Sequence, residues 1–114
     1  MNIDILGTTY TIEYRTKEED KKLEKCDGYC DYTIKKIIII RRNDFDIMDL
    51  ENLKFVENRI LRHEIIHAFV YESGLWCNSY SISSWAENEE MTDWIAIQFP
   101  KINKVFKKLG IDKE

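Results

Sequence analysis

The chain has two histidines, and a glutamate follows the first: His63-Glu64-Ile65-Ile66-His67. Four residues are slightly more than one helical turn, so on a helix both imidazoles share one face. One metal ion can then reach a ring nitrogen from each. Zn2+ is the usual ion for this H-E-x-x-H spacing. Glu64 falls beside the pair on the helix wheel. There it can accept a proton as a general base without ligating the ion, which makes it the candidate catalytic residue. The plain alternative is a pair of ordinary helix histidines. Two features weigh against that. Both histidines of the chain sit in the motif, and their neighbours Ile60, Leu61, Ile65, Ile66, Ala68, Phe69 and Val70 are apolar. A helix apolar most of the way round is expected to be buried. An unpaired polar group there costs about 2 kcal/mol or more. A shared metal would satisfy both imidazoles.

A catalytic zinc normally takes three protein ligands and a water. With no third histidine, the third ligand must be a carboxylate or a thiolate. Glu87, Glu89, Glu90 and Asp93 follow on a second helical stretch. Glu87 completes a Ser84-Trp85-Ala86-Glu87 capping box. Glu89 shares a face with Thr92 and Ala96, small residues that let two helices approach closely. It is the preferred ligand, with Glu90 the alternative about a hundred degrees away. Asp93 is expected to orient a histidine. Cys77 is the thiolate option. Most of these carboxylates would otherwise be solvated helix residues. Tyr71 and Tyr80 are candidate donors to a developing oxyanion, although core or surface tyrosine is the simpler reading of each.

With these residues in place the chain resembles the zincin metallopeptidases that use a glutamate third ligand. It is most similar to the small phage and prophage proteins near the ImmA/IrrE-type family. The second motif stands as Glu89-Glu90-Met91-Thr92-Asp93-Trp94-Ile95-Ala96, with Thr92 for the usual alanine and Asp93 for the usual asparagine. The likeness runs from about Ile37 to Pro100. It implies His63, His67 and Glu89 as metal ligands, Glu64 as base, Zn2+ as cofactor, and hydrolysis of a peptide bond in a protein or peptide substrate. For a phage-encoded chain, the setting would be the host cytoplasm.

The elements that must position these groups are legible in outline. Ile3, Ile5, Tyr10, Ile12 and Tyr14 alternate around Gly7-Thr8, which predicts a hairpin over 2–15. The charged run Thr16 to Lys25 predicts a solvated loop or short surface helix. Asp27-Gly28 signals a turn. Tyr29 to Arg42 reads as strand, bent or broken near Asp31, and Ile37-Ile38-Ile39-Ile40 suggests burial on both faces. The stretch Ile34 to Arg41 is a candidate free edge for an extended peptide. The motif helix is expected from Asp49, its N-cap, to Ser73-Gly74. The second helix is expected from Ser84, with Pro100 ending or kinking it and Gly110 closing it. The predicted class is α+β: one domain over 1–114, a small mainly antiparallel sheet packed by the two helices.

Composition narrows the function classes. A chain of 114 residues supports one modest core. A net charge of −4 argues against nucleic acid as the main partner. No apolar run reaches a membrane span, and the N-terminus carries no signal-peptide pattern. Cys26, Cys30 and Cys77 are an odd set, which fits reduced thiols in a cytoplasm. The rival class is a non-enzymatic zinc-binding interaction protein, with Trp76, Tyr80 and Trp85 as a partner surface. An intact Glu64 favours the enzyme, since a closed structural site has no use for a base. Oligomeric state is not legible.

Overall fold

The early alternation does produce a hairpin. β1 (Asn2–Ile5) and β2 (Thr8–Arg15) pair antiparallel, with Ile3 opposite Tyr10. Leu6 and Gly7 turn the chain with φ of 50° and 88°, the left-handed backbone of a tight hairpin turn. The computed structural model describes residues 1–41, 51–78 and 88–113.

β3 (Gly28–Asp31) and β4 (Lys36–Ile40) form a second antiparallel pair. The break falls after Asp31, close to the expected bend. Among the described residues the sheet has the order β1-β2-β4-β3. Its two outer pairings are antiparallel, and its central pair, β2 with β4, is parallel. The α+β class and the mainly antiparallel sheet are as expected. The isoleucine run is the centre of that sheet. Ile37 and Ile39 pack with Ile5, Tyr10, Ile12 and Ala68 on one face, and Ile38 and Ile40 pack with Leu23 on the other. Leu23 comes from a single 3-10 turn, Lys21–Glu24, capped by Asp20. The charged run thus contributes one fully buried side chain.

This topology corrects one expectation. β4 is flanked by β2 and β3, so the stretch Ile34 to Arg41 offers no free edge. The edge strand on that side is β3, because it folds back on β4 and takes the outer position.

α1 (Leu53–Glu72) carries the H-E-x-x-H motif. Asn52 caps it, its side chain accepting the Phe55 N–H at 3.0 Å. The helix therefore starts later than Asp49, which lies outside the described residues. It stops at Ser73, with Gly74 at φ 83°. Ile60, Leu61, Ile65 and Ala68 set it on the sheet. The helix is not buried all round, since Phe69 is 42% exposed. Among the described residues, a four-stranded sheet and one neighbouring helix cover only part of its circumference.

α2 (Glu89–Leu109) packs against α1, with Thr92 and Ala96 as its fully buried residues. Its cap is Asn88, whose side chain accepts the Met91 N–H at 2.8 Å. The expected start at Ser84 and the cap role of Glu87 fall outside the described residues. Pro100 neither ends nor breaks the helix, which runs through it to a left-handed Gly110.

Candidate metal centre

α1 presents His63 and His67 on successive turns, and α2 brings Glu89 across from its first turn. The small buried side chains of Thr92 and Ala96 allow that approach. The two Nε2 atoms lie 2.9 Å apart. Glu89 places Oε2 2.9 Å from His63 Nε2 and Oε1 3.1 Å from His67 Nε2. Ligand atoms at roughly 2.0–2.2 Å from a tetrahedral zinc are about 3.3 Å from one another. The three groups are therefore compact enough to share one ion.

The donor chemistry also fits. His63 Nδ1 faces Asp93 Oδ1 at 2.7 Å. A proton on Nδ1 donates to that carboxylate and leaves the Nε2 lone pair directed at the triad. Burial holds the His67 pKa below its usual value and so favours the neutral imidazole that a metal needs. Glu90, one residue on, is exposed and takes no part in the triad among the described residues.

Among the described residues the centre is open on one side. The histidine side chains are 14% and 15% exposed, whereas that of Glu89 is 69% exposed. Glu64 lies deeper, at 6%. Its Oε1 is 3.9 Å from His63 Nε2, too far for a hydrogen bond. Burial pushes its carboxyl up to about 7, helped by Glu89 and Asp93 and opposed by His63. Two clefts meet here among the described residues. One, of about 370 Å³, runs from Glu64, His67 and Glu89 toward Tyr32, Tyr71 and Trp76. The other, of about 290 Å³, runs from Glu64 and Glu89 past His63 and Asp93 to Arg59. Cys26 and Gly28 line both.

Several of the contacts around the site were not legible in the sequence. Gly28 is more than a turn residue: a Cβ there would stand 2.9 Å from the Ile38 carbonyl oxygen and 3.1 Å from Ile60. It lets β3 pass close under α1, beside the triad. Cys30 lines the larger cleft, and burial pushes its thiol up to about 12. Tyr71 is stacked on Tyr32, with ring centres 4.0 Å apart. Strand and helix residues far apart in sequence meet at these points, and a linear pattern carries no sign of it. Cys77 is exposed and outside the triad. Tyr80 and Trp85 lie outside the described residues.

No protein-family model matches the chain, and no curated protein or solved structure matches it. The functional reading therefore rests on a His63-His67-Glu89 group, carried on two helices, that can hold a metal ion. No helix among the described residues is long and apolar enough to cross a membrane.

Proposed function

We propose that the chain is a zinc-dependent peptidase acting on a protein or peptide in the cytoplasm. One observation carries the reading: a buried glutamate that does not join the triad opens onto the same cleft as the triad's exposed side. A structural zinc site closes with four protein ligands, whereas a catalytic one keeps a position free. His63, His67 and Glu89 would hold the ion, with Asp93 fixing the His63 ring. When bound, zinc acts as a Lewis acid that acidifies water and polarises a carbonyl.

The chain's own residues supply the rest. Glu64 takes a proton from the attacking water as oxygen bonds to the carbonyl carbon. It then gives that proton to the amine nitrogen as the C–N bond breaks, so one water is consumed and two peptide ends are released. Its carboxylate is buried beside the triad and opens onto the same cleft, within reach of a water held there. Tyr71, on the wall of the larger cleft, is the proposed donor to the developing oxyanion. An extended substrate fits along β3, whose residues Gly28, Tyr29 and Cys30 line that cleft and whose outer side is the sheet edge.

The test is Glu64→Gln in the zinc-loaded protein, against a panel of unfolded proteins and co-expressed candidate partners. The variant should keep its zinc and its fold. Cleavage should fall by about 10²–10⁴. Equal cutting by both proteins removes Glu64 from the mechanism. A wild type that cuts nothing, yet binds a partner equally well with either residue, favours the interaction-protein reading.

A further inference from the structure

The larger cleft has an aromatic end, of which the hydrolytic chemistry uses only the Tyr71 hydroxyl. Tyr32 and Tyr71 stack at 18° between planes, and Trp76 leans on Tyr32 with ring centres 6.1 Å apart. Tyr29 lines the same cleft. The wall is braced from behind. Lys35 Nζ stands 4.8 Å from the Tyr71 ring centre and is ion-paired to Glu72 Oε1 at 2.6 Å. Glu72 also accepts from the Tyr10 hydroxyl at 2.8 Å and the Thr8 hydroxyl at 3.2 Å. Strand, turn and helix therefore brace the Tyr71 ring, on which Tyr32 stacks, before any ligand arrives.

We propose that this wall is a side-chain subsite for an aromatic residue of the substrate, next to the bond that is cut. The proposal rests on the peptidase reading of the same site and adds the class of side chain it selects. The cleft, at about 370 Å³, is of the size that takes small ligand groups. Its far end is formed by π faces and edges, which favour a flat ring in offset or edge-on contact. A cationic guest is less suited. Lys35 already takes the cation–π position over the Tyr71 ring. The acidic groups of this cleft, Glu64 and Glu89, belong to the triad end.

The experiment uses the zinc-loaded full chain and a series of N-acetyl amino-acid hydroxamates carrying glycine, leucine, lysine or phenylalanine side chains. Affinities are read by calorimetry, so no cleavage is needed. The phenylalanine compound should bind roughly tenfold or more tighter than the glycine compound, with leucine between and lysine near glycine. Tyr32→Ala and Trp76→Leu should each shrink that ratio, weakening the phenylalanine compound far more than the glycine compound. The wild-type series stands even if a variant fails to fold. Equal affinities across the series, a preference for lysine, or no binding at all overturns the subsite. A protein that prefers the phenylalanine compound but cuts no polypeptide keeps the subsite and loses the peptidase reading.

Discussion

Arg62 on α1 donates through Nε to the carbonyl of Ala96 on α2, at 2.6 Å. Ala96 lies four residues before Pro100, so it is the carbonyl that a proline cannot serve with an N–H. The proline thus frees an acceptor inside a continuous helix, and the neighbouring helix fills it. The bond joins α1 next to His63 to α2 one turn beyond Thr92, and so helps hold Glu89 and Asp93 against the histidines. Arg62→Met should leave that carbonyl unpaired and cost about 1–3 kcal/mol in chemical denaturation. Adding Pro100→Ala restores an in-helix donor and should recover most of the loss, which a double-mutant cycle will show as coupling. Two additive mutations would mean that the arginine and the proline act separately.

The third ligand can be assigned by zinc stoichiometry. Glu89 contacts both Nε2 atoms, whereas Glu90 is exposed and outside the group. Glu89→Ala and His63→Ala should each lose most of the bound zinc after purification without chelator. Glu90→Ala should keep one zinc per chain. Zinc lost from Glu90→Ala but kept by Glu89→Ala would shift the ligand by one residue.

Acid should loosen the opposite end of α1. The Lys35 ammonium, and after it the Tyr10 hydroxyl, hold the Glu72 carboxyl below the usual carboxylate range. The same bond raises the Tyr10 pKa, although burial is the larger cause there. A carboxyl depressed in the folded state stabilises fully above its unfolded pKa, about 4.3. That stability is lost as pH falls through the folded value. Wild type should lose more stability than Glu72→Gln between pH 6 and pH 3, measured as urea midpoints. Parallel pH profiles would show that the Lys35-Glu72-Tyr10 cluster contributes nothing net.

How far the sequence could be read follows from which patterns are local. His63, Glu64 and His67 share a helix face by spacing alone, and that helix does carry them together. Glu89 was reachable because Thr92 and Ala96, three and seven residues on, mark the side of α2 that meets α1. The hairpin and the buried isoleucine run were legible because strand alternation and β-branching are local signals. The position of β4 was not, because register and strand order depend on which partner wins on each side. Arg62 had no visible role until Pro100 was seen to run on inside α2. The length of apolar sequence on α1 overstated its burial, since periodicity does not say how much surface the rest of a small chain can cover.

Asp93 offers the sharpest separation of orientation from coordination. Its Oδ1 lies 2.7 Å from His63 Nδ1, and it is outside the triad itself. Its carboxylate accepts the Nδ1 proton, which fixes the tautomer and the ring angle. Asp93→Ala removes that acceptor, so the ring is free to rotate and to place its proton on Nε2. Zinc affinity should fall by roughly 10–100-fold. Asp93→Asn keeps an oxygen that can accept the same hydrogen bond and loses the charge, so it should fall between wild type and alanine. Competition against a chromophoric chelator gives the three affinities. The alanine variant should still reach one zinc per chain at saturating metal, unlike Glu89→Ala. If Asp93→Ala binds zinc as tightly as wild type, the hydrogen bond does not set the His63 ring, and the packing of α2 on α1 is sufficient to orient it.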